Sequence, residues 1–345
     1  MSHWHLRPES FFYKAATLAL LASSIPCSAF AADSSLGPVS EAESAILWKD
    51  SQKYYKTEDC ENALSRLKRL VDRYPGYPSA EDYRKARFEL GHCYYEQKQD
   101  GEAIKTLKTY LEGPGDHPDA ERAREMIGLA QLRTKKLHEA YLTSEELQKS
   151  ESLETQAKAL LLRSQVWIAR NQNGKAKAST VSALALADQS QSKPLLAQAR
   201  TQEFEILTRE CALPSAKKSA KDEARVRKDM ETRGTCLTEA LIQFRKALAP
   251  EHTASAERAT LIATQAFKDY RRACENPPNP PKLQPKDRTA EQLKSYKVEL
   301  ADHLTQIYET HRKAALQMIS NWKQENPPPS EFVQRRLQIL EESLK

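Results

Sequence analysis

The chain has 345 residues, of which 39% are hydrophobic and 29% are charged, and its formal net charge is +6 at pH 7. Its nine glycines are well under half of the average usage of ~7%, which leaves little material for β-hairpin turns, dinucleotide-binding fingerprints or phosphate-binding loops. Mean hydropathy is −0.71, so apolar residues are too scarce for one thick core. The composition therefore favours an elongated all-α protein built from thin helical layers.

The first residues have the order of an export signal. Arg7 and Lys14 precede the apolar run 15–22, and Ala29–Ala31 supplies a cleavage site of small residues. The apolar run is much shorter than the ~20 residues that a membrane-spanning helix needs. We therefore predict a cleaved signal peptide over residues 1–31, whose loss lowers the net charge to +5, and a periplasmic or secreted mature protein.

Cys27 raises the question of lipid attachment. Bacterial acylation signals place Leu and small residues directly before the cysteine, whereas Ser24, Ile25 and Pro26 precede it here. From this departure we expect no lipobox at Cys27 and no lipid on the mature protein.

An internal repeat of small residues follows the export signal. Each unit pairs a Ser or Gly with an Ala twelve positions later, and the units recur after 40, 37 and 36 residues. The four pairs are Ser51 with Ala63, Gly91 with Ala103, Gly128 with Ala140, and Ser164 with Ala176. Two packed helices approach closely only where the side chains at their crossing are small. These repeat-packing residues therefore predict four helical hairpins.

The repeat resembles the tetratricopeptide-repeat family, whose nominal period is about 34 residues. The residues that carry the resemblance, besides the small pairs, are Tyr54, Tyr94, Trp167, Leu67, Leu107 and Pro75. The sequence departs from the family pattern at Asp50, Ser144, Arg163 and Thr180. The resemblance covers roughly residues 41–190 and implies a solenoid of helical hairpins. Among exported proteins, the chain is most similar to helical-repeat adaptors of envelope assembly.

The rest of the chain is predicted to be helical without the repeat. We divide the mature chain into TPR-like repeats of about four helix pairs over 32–190, a helical extension with a charged segment over 191–275, a Pro-rich linker over 276–288, and a long helix with a short terminal helix over 289–345. Long helices in such positions cap the end of a solenoid or fill its groove, and both arrangements are open.

Five cysteines follow residue 31: Cys60, Cys93, Cys211, Cys236 and Cys274. Cys211 and Cys236 flank the charged segment. Residues 212–219, if extended, reach about 26 Å, and a helix over residues 220–232 spans about 20 Å. An extended segment that runs back along this helix would therefore allow a disulfide between the two cysteines. A continuous helix from residue 216 would instead hold the two cysteines apart, and we favour the disulfide. The case for Cys60 with Cys93 is weaker, and Cys274 is left free or bonded to another chain.

One face of the first helix in each unit carries residues at positions i, i+4 and i+7. In tetratricopeptide-repeat proteins this face lines a concave groove that binds peptides, so the resemblance implies a partner-binding groove here. Its predicted lining is Trp48, Gln52, Tyr55, Phe88, His92, Tyr95, Leu129, Leu132, Gln165 and Ile168. Exposed aromatic residues in such a wall anchor partners. The alternatives are that the C-terminal helices fill the groove or that these aromatic residues pack between helices.

The sequence contains no H-E-x-x-H, G-x-S-x-G, phosphate-loop or paired C-x-x-C motif. His303 and His311 lie eight residues apart on one predicted helix, but a metal site needs further ligands, so we predict two solvated histidines, no metal and no cofactor. We expect a non-enzymatic periplasmic scaffold for protein–protein interaction in the cell envelope, which binds a segment of another protein rather than nucleic acid and does not span the membrane. The alternative is a binder of the cell wall or of an anionic envelope polymer. The oligomeric state is open.

Overall fold

The computed structural model describes residues 38–113, 117–211, 223–249, 252–277, 290–325 and 329–345. These residues form thirteen α-helices and contain no strand, which confirms the predicted all-α class. The helices are α1 (Pro38–Tyr55), α2 (Cys60–Arg73), α3 (Ala80–Glu96), α4 (Asp100–Glu112), α5 (Ala120–Arg133), α6 (Leu137–Leu147), α7 (Leu153–Ala169), α8 (Asn173–Gln189), α9 (Lys193–Glu210), α10 (Glu223–Ala247), α11 (Thr253–Glu275), α12 (Ala290–Lys323) and α13 (Glu331–Leu344). The predicted signal peptide over 1–31 and nearly all of the Pro-rich linker over 276–288 lie outside the described residues.

The small pairs lie where the two helices of a hairpin cross. All eight repeat-packing residues are buried, and a Cβ atom added to Gly91 would lie only 2.6 Å from Cγ of Leu107. The hydroxyl of Ser164 donates to the backbone oxygen of Ala176 over 3.0 Å. Helices α1 to α8 pair in sequence order and each pair packs on the next. The helical-hairpin solenoid that the resemblance implied is therefore confirmed.

The turn inside each hairpin repeats in the same register as the small pairs. The four turn residues Glu58, Lys98, Lys135 and Asn171 have positive φ angles of 58°, 57°, 61° and 56°. The next amide then donates back along the helix, as from Gln99 to the oxygen of Tyr94 over 2.9 Å. This bond satisfies a carbonyl that the end of the helix would leave free. Each turn residue follows its small residue by seven positions. The distance from the helix crossing to the turn is therefore the same in all four hairpins.

Three of the four departures from the family pattern, Ser144, Arg163 and Thr180, form side-chain hydrogen bonds. Nε of Arg163 lies 3.3 Å from the hydroxyl oxygen of Ser144 and donates to it. The hydroxyls of Ser164 and Thr180 are 2.8 Å apart, and Thr180 also donates to the oxygen of Ala176 over 3.0 Å. Buried polar groups are costly unless they are hydrogen-bonded. At these positions hydrogen bonds between polar groups thus take the place of the family's apolar contacts.

Helix packing continues past residue 190, where the small-pair pattern ends. Helix α9 packs on α8 and α10, and α11 packs on α9, α10, α12 and α13. One large core joins α9, α10, α11, α12 and α13, and its buried residues include Phe204, Phe244, Phe267, Tyr270, Leu304, Ile319, Leu337 and Leu340. A Cβ atom on Gly234 would lie 2.5 Å from Oη of Tyr270. In the C-terminal half, Gly234, which is not part of the twelve-residue repeat, therefore permits the close approach of α10 and α11.

The described part of the charged segment, from residue 223 onwards, belongs to a single helix. It is the start of α10, which runs unbroken through the apolar positions Leu237, Leu241 and Phe244. Cys211 at the end of α9 and Cys236 within α10 form a disulfide with a Cα–Cα distance of 5.6 Å. The return of α10 along α9 brings the two cysteines together. Residues 212–219, whose extended course we expected to close this bond, lie within the segment 212–222, which is outside the described residues.

A second disulfide joins Cys60 to Cys93, whose Cα atoms are 5.0 Å apart. The sequence favoured this pair less, because Cys60 follows a turn whereas Cys93 lies within a helix of the next unit. The structure brings them together since Cys60 is the first residue of α2, and α2 packs against α3. Cys274 is a free thiol, 1% exposed, in the C-terminal core.

Candidate functional site

The predicted stripe residues of α1 and α3 lie side by side and contact one another. Oη of Tyr55 and Nδ1 of His92 are 2.9 Å apart, and Nε2 of Gln52 donates to Oε2 of Glu89. Trp48 is half-buried, with Nζ of Lys85 over its ring at 5.9 Å from the centroid. The stripe is therefore a set of contacts between successive units.

Two predicted groove residues are almost fully buried. Phe88 is 3% exposed, and its ring centroid lies 5.4 Å from that of Tyr110 on α4. Ile168 is 6% exposed and packs with Ala176 and Ile206. A stripe of this spacing is about 100° wide, so its edges turn into neighbouring helices. We therefore correct the assignment of Phe88 as an exposed anchor in the groove wall.

Glu89, which the stripe pattern did not predict, is 1% exposed. Its Oε1 is buried and has no hydrogen-bond partner among the described residues. Burial raises the pKa of this carboxyl to about 7, against the opposing effects of the Gln52 amide and the charge of Lys85. Glu89 lies four residues after Lys85 and three before His92. This spacing, which places Lys85, Glu89 and His92 on one face of α3, is the sequence signal that predicts Glu89.

His92 is held in its neutral form. Burial and the guanidinium of Arg122 lower its pKa, against the opposing carboxylate of Glu96. Nη2 of Arg122 lies 3.4 Å from Nε2 of His92, and a guanidinium can only donate. Nε2 also lies 3.6 Å from Oε1 of Glu96, while Nδ1 is hydrogen-bonded to Oη of Tyr55. The side chains of Tyr55, His92 and Arg122 connect α1, α3 and α5.

Polar contacts of the same kind continue along the solenoid. Nζ of Lys158 on α7 lies 2.9 Å from Oε2 of Glu125 on α5. Nε2 of Gln202 on α9 donates to the oxygen of Leu161 on α7 over 3.0 Å. Nη2 of Arg258 on α11 lies 2.5 Å from Oε2 of Glu205 on α9. A chain of polar contacts thus connects α1, α3, α5, α7, α9 and α11.

Three adjoining cavities lie along these helices, and together we call them the groove. The N-terminal cavity, of about 460 Å³, is bordered by α3, α5 and α7 and is lined by His92, Tyr95 and Leu129, among others. The middle cavity, of about 260 Å³, shares Leu129 and adds Gln165, with one wall from the start of α11. The third, of about 500 Å³, shares Gln165 and adds Leu132 and Ile168. Trp48, Gln52 and Tyr55 line none of the three.

The groove is open to solvent, and α11 forms its C-terminal wall without filling it. His252, Ser255 and Arg258 are the polar residues that α11 and its N-cap contribute to the middle cavity. Tyr95 and Leu129 remain half-buried in the N-terminal cavity. The arrangement offers apolar side chains beside hydrogen-bonding and charged groups, as in surfaces that bind extended polypeptide.

No metal-binding group of three or more His, Cys, Asp or Glu residues occurs in the described part of the chain. The two histidines considered as ligands have other neighbours. Nη2 of Arg227 lies 2.6 Å from Nδ1 of His303, and the His311 ring is packed 6.2 Å from that of Tyr270. Within the described residues, no helix is long and apolar enough to cross a lipid bilayer.

Residues 40–161, about a third of the chain, match the YfiO family, which is described as an outer membrane lipoprotein. The matched segment extends from α1 into α7 and includes the N-terminal cavity. No curated protein matches the chain.

This match overturns our expectation about lipid attachment. A lipoprotein family contradicts a periplasmic or secreted protein that has a cleaved signal peptide and no lipobox at Cys27. That expectation depended on Ser24, Ile25 and Pro26, the residues directly before Cys27. The apolar run ends at Ala22, so the thiol of Cys27 lies five residues after that run whatever residue precedes it. Residues 1–37 lie outside the described residues.

Proposed function

We propose that this chain is a lipid-anchored adaptor of the outer membrane that holds a segment of another envelope protein in its groove and catalyses no reaction. The observation that carries the proposal is the groove itself, in which three cavities share side chains along successive first helices. The match of residues 40–161 to an outer membrane lipoprotein family supports the cellular location.

The shape of the groove favours a polypeptide over a small molecule. Small-molecule sites are concave, mostly apolar and able to bury most of their ligand. Here the cavities are open and connected in series, and charged side chains such as Arg122, Glu125 and Lys158 alternate with apolar ones such as Leu129. A polypeptide segment can place charged side chains against the charged residues of the groove and apolar side chains against its apolar residues.

Cys27 is the residue that we propose to carry the lipid. It is the only cysteine before Cys60, and α1 begins eleven residues later, at Pro38. An extended chain covers at most ~3.6 Å per residue, so the tether would reach about 40 Å at most. The solenoid would therefore stay close to the membrane, where envelope partners are inserted or assembled.

Site-specific photo-crosslinking in cells tests the groove. A photoreactive phenylalanine analogue at Tyr95 replaces one half-buried aromatic residue with another, and we expect it to capture a discrete partner segment. Leu142 on α6 and Val181 on α8, which are 44% and 52% exposed, are control positions outside the groove. Capture at the control positions but not at Tyr95 would contradict the proposal.

The anchor is tested separately. We expect Cys27→Ser to abolish incorporation of labelled fatty acid and to release the protein from the membrane fraction, whereas Cys274→Ser should change neither. Fatty-acid labelling that persists in Cys27→Ser would show that the lipid is elsewhere.

A further inference from the structure

The third cavity differs in charge from the rest of the groove. Its nine lining residues include four cations, Arg133, Lys135, Arg209 and Arg258, and no acidic residue. The N-terminal cavity is lined by four carboxylates, Glu96, Asp119, Glu121 and Glu125, and by two permanent cations, Arg122 and Lys158. The groove is thus acidic at one end and basic at the other, and we call the third cavity the basic cavity.

The cations of the basic cavity are only partly neutralised. Arg209 and Arg258 share one carboxylate, that of Glu205, at 3.1 and 2.5 Å. Each guanidinium has five donors, so a single carboxylate leaves most of them available, and the two side chains remain 44% and 47% exposed. Lys135 is exposed as well. Arg133 is paired with Asp100 at 2.6 Å and adds little net charge.

The lining of the basic cavity is also partly apolar. Four apolar residues line it together with the cations: Leu132, Leu137, Ile168 and Ala169. A volume of about 500 Å³ is far larger than an inorganic anion needs, and a bare anion would leave these apolar side chains in contact with water. An apolar side chain flanked by carboxylates would contact both the apolar and the cationic lining residues.

We propose that the basic cavity binds an acidic segment of the partner protein, in which Asp or Glu residues flank a branched or aromatic side chain. This inference rests on the proposed function and specifies the class of segment that the groove takes. A long anionic polymer fits less well, because it would meet the carboxylates of Asp119, Glu121 and Glu125 at the other end of the groove.

The test uses three fluorescein-labelled ten-residue peptides that share the same Leu and Phe positions and carry Glu, Gln or Lys between them. We expect the Glu peptide to bind the purified protein about tenfold more tightly than the Gln peptide, since several exposed ion pairs each contribute a fewfold effect. We expect the Lys peptide to bind weakest, and the affinity of the Glu peptide to fall as salt is added. Equal or tighter binding of the Gln or Lys peptide would overturn the inference.

Lys135→Glu provides the matched variant. Glu58 occupies the same turn position in the first hairpin with almost the same φ angle, 58° against 61°, so Glu fits this backbone. We expect Lys135→Glu to weaken binding of the Glu peptide about three- to fivefold. Lys108→Glu makes the same change of charge at an exposed position on α4 away from these cavities. This variant should bind the Glu peptide with an affinity within about twofold of the wild type.

Two further results separate the possible failures. Polyphosphate has no apolar groups. If it displaces the labelled Glu peptide as effectively as the unlabelled peptide does, the cavity recognises negative charge alone and the inference is wrong. If Tyr95 captures a partner segment in cells but the Glu peptide does not bind, the inference fails while the proposed function stands. If Tyr95 captures nothing, the proposed function fails and takes this inference with it.

Discussion

Ser164 and Ala176 are twelve residues apart in the chain, and the hydroxyl of the first donates to the backbone oxygen of the second over 3.0 Å. Both residues are fully buried. A side chain can contact the backbone of the opposite helix in this way only where the two helix axes lie close together. The small pairs are therefore the points at which each hairpin is held closed.

Gly91→Ala tests this role in the second hairpin. The added Cβ atom would lie 2.6 Å from Cγ of Leu107, which is itself fully buried. We expect a loss of about 1–3 kcal/mol in the free energy of unfolding, typical of overpacking a filled core, measured by urea denaturation. Gly101→Ala is the control, because nothing lies within 4 Å of its added Cβ atom. An unchanged stability in Gly91→Ala would show that the hairpin tolerates a wider crossing.

Phe88→Ala and Trp48→Ala are expected to differ. Phe88 is 3% exposed among core residues of α3, α4 and α5, so its truncation should cost about 3–5 kcal/mol of stability. Trp48 is only half-buried, and we expect Trp48→Ala to lose distinctly less stability than Phe88→Ala. Thermal and urea denaturation of the two variants measure the difference. Equal losses would mean that Trp48 is as much a core residue as Phe88.

Glu89→Gln should change how stability depends on pH. Burial raises the pKa of Glu89 from 4.5 to about 7 in the folded protein. The folded state therefore holds a proton that the unfolded state releases, so this group stabilises the fold below pH 4.5, and that stabilisation is lost as the pH rises through 7. We expect Glu89→Gln to be more stable than the wild type at pH 8, by at most about 3 kcal/mol, and to lose this advantage below pH 4.5.

Urea denaturation at pH 4, 6 and 8 measures this change. Glu112→Gln, a substitution of an exposed carboxyl on α4, is the control and should follow the wild-type profile. Parallel profiles for Glu89→Gln and the wild type would show that the carboxyl is not buried as described.

The thiol chemistry of the folded protein should be limited by burial. Cys274 is 1% exposed, and burial raises its pKa to about 12, so the reactive thiolate is scarce and inaccessible. We expect iodoacetamide to leave Cys274 unmodified in the native protein and to label it after unfolding in guanidinium. Peptide mapping of the same unreduced sample should recover Cys60 joined to Cys93 and Cys211 joined to Cys236. Rapid labelling of Cys274 in the native protein would contradict its burial.

The sequence by itself determined the hairpins of the first half. Ser51, Gly91, Gly128 and Ser164 each precede a partner Ala by twelve residues, and steric exclusion between packed helices makes that pattern directly readable. The same local logic identified Cys211 and Cys236 as a pair that the chain could join. These properties depend on residue size and on contour length, both of which are visible in a linear chain.

Tertiary structure alone decided which edge of each stripe faces the groove. Phe88 and Glu89 are neighbours in the chain, yet the first packs on Tyr110 of α4 and the second accepts from Gln52 of α1. Successive residues of a helix point about 100° apart, but which neighbouring helix each of them meets depends on how the hairpins stack, and no local pattern encodes that stacking. The same holds for Gly234 against Tyr270, and for Arg209 and Arg258 around Glu205, since each depends on helices that meet only after the whole stack has formed.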